Sequence, residues 1–190
     1  MSKLFYFDVE TTGTDSKLHG IHQIAGFIEI AGSIEEKFNF NVRPKANAVI
    51  EEEALKVANV TKEQIQAYSP MREVYNKLLV ILGKYVQKFD RQDKFFLVGF
   101  NNSSFDNGMF RQWFTDNGDK YFGSWFWSNC EDAMVLATGP LMEQRHLMPD
   151  FKLKTVAKYL GIEVDETKLH DALYDIELTK AIYQHCKAKR

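Results

Sequence analysis

Leu4-Phe5-Tyr6-Phe7-Asp8-Val9-Glu10-Thr11-Thr12-Gly13 is the stretch from which the fold is read. It is aromatic and branched up to Glu10 and closes on turn-forming residues, which predicts a strand over Leu4 to Glu10. Strand side chains alternate, so Asp8 and Glu10 leave the same face. Two carboxylates side by side repel, and burying either is costly without a partner. A divalent cation removes both problems, because hard cations such as Mg2+ take oxygen ligands and are often held by one or two carboxylates plus substrate phosphate. The plainer alternative is a strand whose Tyr6, Asp8 and Glu10 face is simply wet.

Working outward, Ile21 to Ile30 reads as a second strand and Ala31-Gly32-Ser33 as a turn. Phe38, Phe40 and Val42 alternate with polar residues in a half-buried third strand. The short connections make these strands an antiparallel meander. Thr61-Lys62-Glu63-Gln64 fits a capping box. Ser69-Pro70 places a cap before a first-turn proline, and Val74, Leu78, Ile81, Leu82 and Tyr85 follow at helical spacing. Phe95 to Phe100 is a continuous apolar run, as in a strand buried on both faces. Asn101 to Ser104 is a polar turn. Phe105 to Asn117 is a helix with Met109, Phe110, Trp113 and Phe114 inward, ending near Gly118. Tyr121 to Trp127 is assigned as the last strand, with helices after it. The expected architecture is α/β, a mixed sheet with helices on its faces.

Two further acids sit at informative places. Asp106 follows the buried strand and opens a helix, where it either complements the helix dipole or faces a site at the carboxyl edge of the sheet. Asp175 stands five residues after His170, an offset that does not share a helix face. His170 is therefore expected in the approach or first turn, with Asp175 on the helix proper. A solvent-exposed loop histidine is the plainer alternative for His170. Asp171 is expected to be a cap or a solvated acid.

Together these residues resemble the DEDD exonucleases of the DnaQ-like superfamily, in the branch with a catalytic histidine (DEDDh). Phe7-Asp8-Val9-Glu10-Thr11-Thr12-Gly13 resembles that family's first motif, and Gly99 to Asp106 is similar to its second. His170-x-Ala172-x-x-Asp175 matches the third. Ile50 to Pro70, Asp132-Ala133-Met134 and Phe151 to Ile162 are weaker echoes. The likeness spans about residues 4 to 186, so residues 1–190 are expected to be a single exonuclease catalytic domain. One departure stands out: the histidine that often precedes the second-motif asparagine is absent, and Asn101 and Asn102 compete for that asparagine's place.

The resemblance implies an RNase H-like fold of five strands, the three-strand meander plus two parallel strands. It implies a 3′–5′ exonuclease that uses two divalent cations, Mg2+ or Mn2+, with Asp8, Glu10, Asp106 and Asp175 as metal ligands. Asp8 would bridge both ions and His170 would take the proton from the attacking water. A positioned histidine base commonly contributes ~10²–10⁴-fold. Thr11, Thr12 and Gly13 would contact the terminal nucleotide. Bases would stack on nearby aromatics, with Phe105 favoured and Trp125 and Trp127 as weaker candidates.

Composition sets outer limits. The 190 residues carry a net charge of −2, so no global positive field draws in nucleic acid and the site must be local. That favours a short single-stranded 3′ end over a long duplex footprint, and DNA is taken as the expected substrate. The two cysteines exclude a disulfide framework and a four-cysteine zinc site, and they permit a cytoplasmic setting. No segment reads as a signal peptide or membrane span. An RNA-directed exoribonuclease or oligoribonuclease shares the same motifs. A catalytically dead binding module is disfavoured by the complete acidic set, and a doubly wound Mg2+-binding signalling domain by the antiparallel opening. A polymerase partner, as for a proofreading exonuclease, is compatible with the motifs but not indicated by them. A stand-alone enzyme is the expectation.

Overall fold

The computed structural model describes residues 2–169 and 171–188. The meander is present as β1 (Lys3–Thr11), β2 (Ile21–Ile30) and β3 (Ser33–Arg43), each antiparallel to the next. Ala31 and Gly32 take φ of 51° and 93°, and this left-handed pair makes the tight β2–β3 turn. A two-residue strand, β4 (Ser69–Pro70), runs parallel to the end of β3. β5 (Phe96–Gly99) is parallel to β1, and β6 (Glu131–Asp132) is parallel to β5. The six strands lie in the order β4-β3-β2-β1-β5-β6.

The helices are α1 (Glu52–Val57), α2 (Lys62–Ala67), α3 (Met71–Tyr85), α4 (Asp106–Asp116), α5 (Ala133–Leu141), α6 (Leu153–Tyr159) and α7 (Ala172–Ala188). Thr61 and Gln64 form the reciprocal capping box at the start of α2. The mixed sheet flanked by helices is thus as expected, with two corrections. Ser69 and Pro70 pair with Val42 and Arg43 as an edge strand instead of opening α3 as cap and first residue. Tyr121 to Trp127 is not a strand. Phe122–Ser124 is a 3-10 turn, and only Phe126 bridges to Phe95. The second parallel strand is instead the short Glu131–Asp132.

The alternation of β1 divides the core between two layers. Phe5, Phe7 and Val9 point into the layer covered by α3 and α4. Leu4 and Tyr6 point into the layer covered by α5, α6 and α7. The first layer accommodates much of the unusual phenylalanine content. The Phe5 ring has the rings of Phe7, Phe38, Phe95, Phe110 and Phe126 within 5.9 Å, centroid to centroid. Trp125 is buried in this cluster. Trp127 packs at 6.0 Å against Phe96. Trp125, a weaker candidate for base stacking, is thus a core residue, while Trp127 is half-buried.

Candidate active site

On the α7 side, the face of β1 that carries Tyr6 also carries Asp8 and Glu10. Tyr6 is fully buried against Phe27 and Tyr183, so this face is dry at its base. The wet-strand alternative fails at that residue. Asp8 and Glu10 stand half-buried above it, where the strand reaches the carboxyl edge of the sheet.

Asp106 and Asp175 arrive from elsewhere in the chain. β5 pairs with β1 only as far as Tyr6. Beyond that point the Val9 amide, between the two acids, donates to Asp106 Oδ1 at 3.3 Å. Asp175 lies on the first turn of α7. The Asp171 side chain caps that helix, accepting from the Tyr174 amide at 3.0 Å.

The four carboxyl groups sense one another. Burial, then Glu10 and Asp175, push Asp8 up into the neutral range. Burial and Asp8 push Asp106 up as well, against the opposing pull of the Val9 amide. Glu10 is raised by burial and by Asp106 and Asp175. The repulsion that raises these carboxyls is of the kind that a bound cation would relieve. The donors are all hard carboxylate oxygens, which suits Mg2+ or Mn2+. Among the described residues, no three His, Cys, Asp or Glu side chains are already gathered in a metal-holding cage. Bound ions would therefore need further oxygens from water or substrate phosphate. His170, expected as the base, lies outside the described residues.

Glu10 also lines a cleft with Thr11, Gly13 and Phe105 on one side and Glu51, Glu53, Ala54 and Val57 of the α1 segment on the other. The wall is sewn to the end of β1 by Thr12. Its hydroxyl donates to the Val49 carbonyl at 2.7 Å and accepts from the Gly20 amide at 3.1 Å. The Glu51 amide donates to the Thr12 carbonyl at 2.9 Å. Thr12 is fully buried, so its hydroxyl braces the loop and does not face the cleft. Thr11 is also nearly buried, its hydroxyl donating to the Gly13 carbonyl at 2.8 Å.

Sequence reasoning did not single out Glu51, Glu53, Ala54 or Val57, although they fall inside the Ile50 to Pro70 stretch. The run of acids Glu51-Glu52-Glu53 was the available signal. It also did not single out His19, whose buried ring meets Glu51 Oε1 at 3.1 Å behind this wall.

Comparison with known proteins bears on the family and the fold. The family model RNase_T, described as exonuclease, matches residues 5–183. A DNA polymerase III PolC-type of Clostridium perfringens is 30% identical over 179 residues, which are 93% of this chain and 10% of that protein. The PolC-type polymerase of Mycoplasmopsis pulmonis is 24% identical over 190 residues, 96% of this chain and 12% of the relative. The chain thus spans about a tenth of the length of these curated relatives. Among solved structures, E. coli exonuclease I in complex with a dT13 oligonucleotide superposes with a TM-score of 0.75 at 22% identity, covering 100% of this chain and 41% of that one. A zinc-bound E. coli exonuclease I–ssDNA complex gives 0.76 at 20% identity, with 100% and 41% coverage. At that identity the likeness is one of fold.

Proposed function

Because the chain belongs to the exonuclease family RNase_T, we propose that it hydrolyses phosphodiester bonds at the 3′ end of single-stranded DNA, releasing nucleotides one at a time. The observation that carries this reading is the Val9 amide's hydrogen bond to Asp106, which sets that acid beside the strand bearing Asp8 and Glu10, together with the repulsion these acids and Asp175 exert on one another.

Asp8, Glu10, Asp106 and Asp175 would hold two divalent cations. These would supply neutralisation of the charge that develops on the attacking and leaving oxygens of an in-line displacement. The protein's own residues do the rest. β1 presents Asp8 and Glu10 on a rigid strand, and the Val9 amide fixes Asp106 beside them. Phe105, half-buried at the cleft, offers a ring on which the terminal base stacks, and Ala54 and Val57 line the same cleft. The cleft lining includes no cation, so a neutral base and sugar fit there better than a phosphate. His170 accepts the proton of the attacking water at a ring nitrogen. The new P–O bond forms as the bond to the 3′ oxygen breaks, and that oxygen leaves with a proton. The products are a nucleoside 5′-monophosphate and a strand one residue shorter.

The test uses 5′-labelled single-stranded DNA and RNA with Mg2+, Mn2+ or chelator. A ladder of products shortened from the 3′ end, faster on DNA and abolished by chelator, is expected. Internal cuts refute exonuclease action, and faster RNA digestion moves the reading to an exoribonuclease.

The similarity to PolC-type polymerases favours a second role for the same chemistry, removal of mispaired primer ends. Primer–templates with mismatched or paired 3′ ends separate the two roles. Preferential loss of the mismatched residue supports this one.

A further inference from the structure

Asp132 is nearly buried, yet no cation is paired with its carboxylate among the described residues. Five donors surround it instead. Oδ1 accepts from the Asn101, Met134 and Val135 amides at 3.0, 3.0 and 3.4 Å. Oδ2 accepts from the Ser103 amide at 3.1 Å and the Ser103 hydroxyl at 2.6 Å. Two of these donors cap α5, as for any helix N-cap. The other three belong to the loop between β5 and α4.

That loop has turn hydrogen bonds of its own, the Ser104 amide donating to the Asn101 carbonyl at 3.2 Å and the Asn107 amide to the Asn102 carbonyl at 2.9 Å, and Asp132 adds the bonds that tie it to β6. Asn101 takes a left-handed φ of 63°, a turn conformation that asparagine adopts more readily than other side-chain-bearing residues. Asn102 is fully buried, with its Cβ so close to Gly99 that a methyl there would lie 2.6 Å away. α4 begins with no side-chain cap of its own. Three residues beyond Ser103 the loop delivers Asp106. The carboxylate on β6 therefore braces the loop from which Asp106 extends, while the Val9 amide holds the Asp106 carboxylate itself.

We infer that Asp132 is a positioning residue, a clamp across the β5–α4 loop that sets where Asp106 stands beside Asp8. Its charge works against its neighbour, since Asp132 adds to the forces that raise Asp106. Its value to the site is geometric. The inference rests on the exonuclease reading for its use, but the clamp itself can be tested without nucleic acid.

Asp132→Asn keeps the size of the side chain and turns one acceptor into a donor facing donors. Ser103→Ala removes one hydrogen bond and no charge. Each full chain is titrated with Mn2+ in the absence of substrate, at low and high salt, and amide exchange is followed at Asn101 and Ser103. In Asp132→Asn, Mn2+ affinity is expected to fall about tenfold and exchange at both amides to rise by a similar factor. In Ser103→Ala, a smaller loss of the same sign is expected. The losses persist at high salt, because screening acts on charge and not on loop geometry. Unchanged Mn2+ affinity despite faster exchange overturns the inference, and so does a loss confined to Asp132→Asn that disappears in salt. A wild-type chain that binds Mn2+ but digests no oligonucleotide would sink the nuclease reading and leave the clamp standing.

Discussion

The Val9 amide donates a hydrogen bond to the Asp106 carboxylate across a gap that strand pairing leaves open. A backbone group between Asp8 and Glu10 thus holds the acid of the second motif. That bond favours the ionised acid, but burial and Asp8 oppose its charge more strongly, so the carboxylate a metal would need works against stability in the metal-free chain.

Asp106→Asn makes the first case. The folded state holds this carboxyl's pKa above its ordinary value of 3.8, mainly through burial and then through Asp8. The folded chain therefore binds more protons than the unfolded chain, and stability falls as pH rises through the interval from about 4 to about 8. An amide cannot ionise. Asp106→Asn is expected to stabilise the metal-free chain at pH 8 by on the order of 1–3 kcal/mol, read as a higher melting temperature, with little gain at pH 4. Activity is expected to fall at least a hundredfold. A lower Tm at pH 8 contradicts the argument.

Divalent ions should reverse the same strain. Mg2+ binds the ionised carboxylates and so stabilises the folded chain by linkage. The rise in Tm with saturating Mg2+ is expected to be larger at pH 8 than at pH 6, because protons compete at the lower pH. Calorimetry should also show protons released on binding. Equal stabilisation at both pH values would mean that the ions bind elsewhere.

His170→Ala and Asp8→Asn should fail in different ways. Loss of a proton acceptor leaves the carboxylates intact, so His170→Ala is expected to keep Mn2+ and oligonucleotide affinity while kcat falls about 10²–10⁴-fold. Asp8→Asn is expected to lose Mn2+ affinity as well as turnover. Single-turnover digestion with parallel metal titration distinguishes them. Full turnover in His170→Ala would remove it from proton transfer.

Gly26 tests the scaffold without touching an acid. A methyl there would lie 2.4 Å from the Tyr6 carbonyl oxygen and 2.6 Å from the Phe38 ring. The first of these atoms is backbone of β1 and cannot swing aside. Gly26→Ala is expected to cost about 1–3 kcal/mol, read as a lower denaturant midpoint. Activity should fall with it, because β1 carries Asp8 and Glu10.

The legible parts of this fold are those written in local pattern. The meander follows from alternation in Phe38, Phe40 and Val42, and the start of α2 from the Thr61–Gln64 box. The Trp125-Phe126-Trp127 segment misled because aromatic residues serve strands and cores alike. Here they fill the cluster around Phe5 from a loop. β6 has two residues and no pattern to read, so its strand pairing shows only in three dimensions. Motif spacing pointed to Asp106, but not to the Val9 amide that holds it or to the five donors around Asp132. All but the Ser103 hydroxyl are backbone partners, and a backbone amide has no letter. Thr12 shows the converse: a residue assigned by motif to nucleotide contact spends its hydroxyl on Val49 and Gly20.

β1 leaves the regular ladder immediately after its second acid, where the pairing with β2 shifts between Glu10 and Thr11. Up to that point every odd residue faces the phenylalanine layer and every even residue faces α7. Removing one residue between Lys3 and Phe7 would exchange the two sets, driving Asp8 and Glu10 among the rings and bringing Phe7 and Val9 out in their place. The chain could not preserve its core and lose its chemistry by such a slip, since both depend on the parity of a single count.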